Sequence, residues 1–110
     1  MDKITKRQIN KWIKDYVKLL RTKYGAEKII LFGSRAKGTN LKYSDVDLIV
    51  ISKKFEGINW LKRIGDLSQD WEGLIDLDIL GYTPEEFEKK KNQLCIVQQA
   101  VKEGKILFSS

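Results

Sequence analysis

Apolar residues first recur at three- and four-residue intervals, at Ile9, Trp12, Ile13, Tyr16, Val17, Leu20 and Tyr24. That spacing predicts a helix from about Lys6 to Lys23 with one buried stripe. Thr5 and Gln8 have the spacing of a capping box, and Gly25 supplies a stop. The pattern then becomes a nearly continuous apolar run from Glu27 to Phe32, as expected of a strand covered on both faces. It breaks at Gly33-Ser34-Arg35, where a short helical turn to about Lys37 is predicted. A polar connection, Gly38 to Tyr43, leads into a second strand from Ser44 to Ser52. After a loop over Lys53 to Ile58, helical spacing returns at Trp60, Leu61, Ile64, Leu67 and Trp71, ending at Gly73. Both tryptophans are expected in the core rather than as platforms for stacked bases. Leu74 to Leu80 alternates, with Ile75, Leu77 and Ile79 on one face and Asp76 and Asp78 on the other, a half-buried strand. Thr83-Pro84-Glu85-Glu86 opens a helix with cap, proline and capping box in place. Its acidic start and its Lys89-Lys90-Lys91 end both complement the helix dipole. Asn92 is expected to cap a last helix to about Glu103, with Leu94, Val97 and Val101 inward. Gly104 ends it, and Lys105 to Phe108 forms a closing edge strand.

The order is helix, strand, turn, strand, helix, strand, two helices, strand. It predicts an α/β fold of the α+β kind, a small mixed β-sheet flanked by helices, in a single domain over residues 1–110. Hydrophobic residues make up 42% of the chain and include three tryptophans, which excludes a disordered polymer. No apolar run approaches a membrane span and none resembles a signal peptide, so a cytoplasmic location is expected. Cys95 is the single cysteine and histidine is absent. Disulfides within the chain, zinc sites and histidine-based acid–base or triad chemistry are therefore excluded.

The formal net charge is +6. It is concentrated in the first helix, because Met1 to Tyr24 holds eight Lys or Arg against Asp2 and Asp15, and the remainder of the chain is balanced. A solvated helix face is the plain reading of this excess; a docking surface for RNA or an acidic protein is the sharper one. The aromatic residues of this helix fall on its apolar side, so the nucleic-acid version has no stacking residues to support it.

The candidate chemistry lies between Leu31 and Ser52. A turn opening at Gly33-Ser34 presents backbone N–H groups and the positive end of a dipole, an arrangement that binds phosphate. Gly33 lets an anion approach the backbone, Ser34 adds a hydroxyl donor, and Arg35, Lys37 and Lys42 bring positive charge. Asp45 and Asp47 are two apart on a strand and share a face, and like charges so placed repel unless a cation or proton intervenes. If the strand bearing Asp76 and Asp78 is a neighbour, three or four carboxylates converge beside the phosphate turn. Oxygen ligands at that density select hard cations, Mg²⁺ or Mn²⁺. A pair of such ions roughly 3.5–4 Å apart can hold a triphosphate, activate a hydroxyl and neutralise leaving pyrophosphate without any histidine.

Gly33-Ser34-Arg35-Ala36-Lys37-Gly38 followed by Ser44-Asp45-Val46-Asp47-Leu48 resembles the signature of the DNA polymerase beta-like nucleotidyltransferase superfamily. It is more similar still to its small prokaryotic branch, the minimal nucleotidyltransferases. The resemblance runs more weakly through Tyr82 to Phe87 and Ala100 to Leu107, with Lys37 where an arginine is common and Gly81 where a proline is common. It implies that Gly33, Ser34 and Arg35 bind nucleotide, and that Asp45, Asp47 and a third aspartate, Asp78 in preference to Asp76, are the catalytic and metal-binding residues. It implies two Mg²⁺ ions and an NTP substrate, ATP, whose NMP is moved to a hydroxyl on a separately encoded helical partner of the HEPN type. In such toxin–antitoxin pairs the nucleotidyltransferase is the antitoxin. The alternative is an antitoxin or scaffold that acts by binding alone. Homo-oligomers are compatible with so small a sheet, although no repeat or heptad calls for one.

Overall fold

A computed structural model describes residues 4–93 and 95–110. The first helix, α1 (Lys6–Lys23), starts at the predicted capping box, with Thr5 and Gln8 each accepting the other's backbone N–H. It is followed by β1 (Lys28–Phe32), the short α2 (Ser34–Lys37) and β2 (Val46–Ile51), then a 3-10 turn over Lys53–Phe55. Next come α3 (Trp60–Gln69), β3 (Leu77–Tyr82), α4 (Pro84–Lys90), α5 (Cys95–Glu103) and β4 (Lys105–Ser109). The four strands form one sheet in the order β3-β2-β1-β4. β1 is antiparallel to both β2 and β4, whereas β2 and β3 are parallel and joined through α3. The mixed sheet flanked by helices is the expected architecture.

Strand alternation divides the core into two layers. Ile29, Leu31, Val46, Leu48, Val50 and Ile79 meet α1 and α3, where Ile9, Leu20 and Leu67 are fully buried. Tyr16 ties these two helices together, its hydroxyl donating to the Leu67 carbonyl at 2.6 Å. On the opposite face Ile30, Ile49, Ile51 and Tyr82 pack under Phe87 of α4 and Val97 and Ala100 of α5.

Four expectations shift. The third strand runs over Leu77–Tyr82 rather than Leu74–Leu80, because ladder pairing begins only where Val46 stands opposite Leu77; Leu74 is exposed. The face carrying Asp78 is polar only at its start, since Leu80 and Tyr82 continue it into the second core layer. Val101 is 49% exposed rather than inward, while Val97 is buried as expected; Leu94 lies outside the described residues. Trp60 is 40% exposed and leans on Tyr82, whereas Trp71 packs edge-on against Tyr16 and donates to the Ile75 carbonyl.

Candidate active site

The apolar sequence of β1 ends at Phe32, and Gly33 turns the chain with a positive φ of 73°. Ala36 and Lys37 return their N–H groups to the Gly33 carbonyl, closing one turn of helix. The N–H groups of Ser34 and Arg35 precede any carbonyl that α2 could offer and face the space in front of the turn. Gly38, in the left-handed region, ends it. A side chain at Gly33 would be strained by its φ and would also collide with the carboxylate of Asp47. The phosphate-shaped turn and the half-buried carboxylate of Asp47 are thus in direct apposition.

Parallel pairing sets the next feature. Val46 faces Leu77, Asp47 faces Asp78 and Leu48 faces Ile79, so two aspartates stand side by side on adjacent strands. Asp47 is pushed up to about 6, first by burial, then by the neighbouring Asp78 through charge and hydrogen bonding, and by Asp45; Arg35 acts in the opposite sense. Asp45 precedes the first residue of β2 and is more exposed. Asp76 precedes β3 with its side chain in solvent, and its carbonyl accepts the Val46 N–H at 2.9 Å. Of the two candidates for a third carboxylate, it is Asp78 that meets Asp47.

Among the described residues no group of three acidic side chains is already closed to the spacing of a bound ion. A divalent cation still fits this donor set. Mg²⁺ characteristically takes one or two protein carboxylates and completes its shell with water and substrate phosphate. Two aspartates side by side on adjacent strands repel as anions, and a bound cation would relieve that repulsion.

Arg35, expected to bind nucleotide, uses its guanidinium on the backbone of the α2–β2 connection. Its Nε and Nη2 donate to the Ser44 carbonyl at 3.0 and 2.8 Å, and Nη2 also to the Lys42 carbonyl at 2.8 Å. The guanidinium therefore fastens the α2–β2 connection immediately before Asp45. Lys37 pairs with Glu103 of α5 at 3.0 Å, across a cleft of about 210 Å³ that includes Phe32, Gly33, Ala100 and Gly104. Sequence reasoning finds neither role, because both depend on which backbone and which helix come close in space. The one available signal is that Arg35 stands within the short segment joining two motif halves.

The geometry agrees with what comparison with known proteins finds. The nucleotidyltransferase domain profile matches residues 13–107. An inferred protein adenylyltransferase of Methanocaldococcus jannaschii is 31% identical over 111 residues, covering 89% of this chain and 96% of the relative. A second from the same organism is 43% identical over 49 residues, a match that spans only 33% of that longer protein. Among solved structures, an inferred nucleotidyltransferase from Sulfolobus solfataricus superposes with a TM-score of 0.67 at 23% identity, covering 99% of this chain and 92% of the other. A toxin–antitoxin crystal structure with AMP-PNP gives 0.51 at 23% identity over 97% of this chain and 75% of its own. With its sheet, its glycine turn and its facing aspartates in place, the chain belongs to the nucleotidyltransferase domain family and is a transferase by class.

Proposed function

We propose that this protein is a Mg²⁺-dependent adenylyltransferase that moves AMP from ATP to a hydroxyl on a partner protein, and that it acts as the antitoxin of a pair whose other member is a helical HEPN-type toxin. The observation that carries this reading is the contact of Asp47 with both Asp78 and Gly33, which brings the cation-demanding carboxylates against the phosphate turn. The protein acceptor is supported by a relative named for protein adenylylation, and the pairing by the toxin–antitoxin neighbour with AMP-PNP.

Gly33 and the N–H groups of Ser34 and Arg35 bind the terminal phosphates, with the Ser34 hydroxyl as a further donor. Asp45, Asp47 and Asp78 hold divalent metal. Bound there, the metal neutralises the triphosphate and lowers the proton affinity of the attacking hydroxyl. The hydroxyl oxygen bonds to the α-phosphorus, the bond to the bridging oxygen breaks, and pyrophosphate departs. Asp78 orients the attacking oxygen, and the carboxylate pair is the nearest acceptor for its proton. Arg35 acts at one remove, by fixing the backbone that leads into Asp45.

The test is transfer of label from α-labelled ATP to a helical partner protein in the presence of Mg²⁺. Transfer that requires the metal, and that falls by at least about 100-fold in Asp45→Asn/Asp47→Asn, is the expected result. Undiminished transfer by that variant would sink the mechanism. Binding of partner without any transfer would leave a steric antitoxin.

A further inference from the structure

Among the described residues a wide groove lies on the side of α2 away from the carboxylate pair, sharing Arg35 with the proposed site. It has a volume of about 790 Å³ and runs between the start of α1, the α2–β2 connection and the first residue of β4. Ile13 and Leu31 contribute its apolar floor, and Lys6, Lys42, Lys105 and Arg35 its rim, with no carboxylate among the residues that line it. Among the described residues Lys6, Lys42 and Lys105 have no acidic partner, so three cations converge on one apolar channel without a counter-charge. Beside the groove, Leu41 is 80% and Tyr43 is 53% exposed, on a connection with no packing need for either.

We infer that this groove docks an acidic segment of the partner protein, one with apolar side chains between its carboxylates. Three cations facing an empty channel attract a polyanion, and the aliphatic floor with Leu41 rewards apolar side chains, a combination a peptide satisfies. A single-stranded nucleic acid would instead favour a run of aromatic platforms along the channel, whereas none lines it and Tyr43 alone stands beside it. The groove also touches the site mechanically. Arg35 and Lys42 line it, and Arg35 holds the carbonyls of Lys42 and Ser44 just ahead of Asp45. A segment seated there presses on the connection that positions that aspartate.

The identity of the occupant rests on the reading that the acceptor is a protein; the docking itself does not require catalysis. Fluorescence anisotropy with a labelled peptide of Glu-Glu-Leu repeats tests it, against a Lys-Lys-Leu counterpart and an oligouridylate of equal length. The acidic peptide binds, weakens with salt, and loses about tenfold or more in affinity in Lys6→Glu/Lys42→Glu/Lys105→Glu. The milder Lys6→Gln/Lys105→Gln gives a smaller loss in the same direction, which guards against misfolding of the triple variant. In Lys6→Gln/Lys105→Gln calorimetric binding of ATP with Mg²⁺ is retained, and in Asp45→Asn/Asp47→Asn peptide binding is retained, so failure of the docking and failure of the proposed activity are read separately. Acidic-peptide binding that is absent, or that is indifferent to the substitutions, overturns the inference. So does tighter binding of oligouridylate that is lost on charge reversal, which would make the groove a nucleic-acid surface.

Discussion

Asp47 is where the constraints of this site are strongest. Its carboxylate is pressed against Gly33 on one side and paired with Asp78 on the other, and folding raises its proton affinity from 3.8 to about 6. An acid whose folded pKa exceeds its unfolded one binds more protons when folded, so stability falls as pH rises between the two values. The metal-free protein therefore loses stability from this group between about pH 4 and pH 6, with no further loss from it above. Asp47→Asn removes that dependence, and thermal melts in chelator at pH 4.5 and pH 7 are expected to converge relative to the unsubstituted protein. At pH 7 the variant is at least as stable while being inactive, because the repulsion that costs stability is what attracts the cation. Gly33→Ala acts on the same contact from the other side. Its methyl is unfavourable at φ 73° and displaces the Asp47 carboxylate. Affinity for ATP with Mg²⁺, measured by calorimetry, should fall by at least about tenfold.

At the scale of elements, the buried Arg63 shows why some of the architecture was legible in the sequence and some was not. The stripe of α1 and the Thr83-Pro84-Glu85-Glu86 start of α4 are local signals, and both helices form where those signals place them. The Asp-x-Asp and its glycine turn were equally readable, since each depends on neighbours in sequence. The frame of β3 was not: the parity of its alternation is right, but its limits are set by where β2 offers partners, and Gly81 extends it by lying close against Phe55 and Leu67. Arg63, in the middle of α3, gave no signal at all. It is 6% exposed, donates to the Ile58 and Gly81 carbonyls, and forms a two-point pair with Glu86, which at the same time closes the α4 capping box. Arg63 and the Thr83 bonds hold Glu86 below the usual carboxylate range. Its stabilisation is thus present above its unfolded pKa and lost as pH falls through the folded value, opposite in sign to Asp47. Glu86→Gln leaves a buried guanidinium without its counter-charge. A loss of about 2 kcal/mol is expected by chemical denaturation at pH 7, discounted because Glu86 itself is partly exposed, and the difference narrows as pH falls below the usual carboxylate range and Glu86 takes up its proton.

For the whole molecule, the site and the stability of the fold are linked through the sheet that bears the carboxylates. β2 is central, its Asp47 stands at the edge of one core layer, and Val46, Leu48 and Val50 fill the other, so a ligand held at Asp47 and Gly33 is held by the folded sheet and by nothing in the unfolded chain. A ligand of that kind stabilises by mass action, about 2.7 kcal/mol at a concentration 100 times its dissociation constant. In a domain this size that corresponds to a rise in Tm of roughly 10 °C. Differential scanning fluorimetry at pH 7.5 should show such a rise with ATP and Mg²⁺ together, a much smaller one with either alone, and its reversal on chelation. The rise should shrink as pH is lowered through about 6, where a proton competes for Asp47, and should be absent in Asp45→Asn/Asp47→Asn at every pH. The Lys6→Gln/Lys105→Gln variant should retain it in full, because Lys6 and Lys105 lie along the groove and not against the carboxylate pair. A shift of equal size in the Asp45→Asn/Asp47→Asn variant would place the nucleotide elsewhere on the protein and break the link between sheet and site.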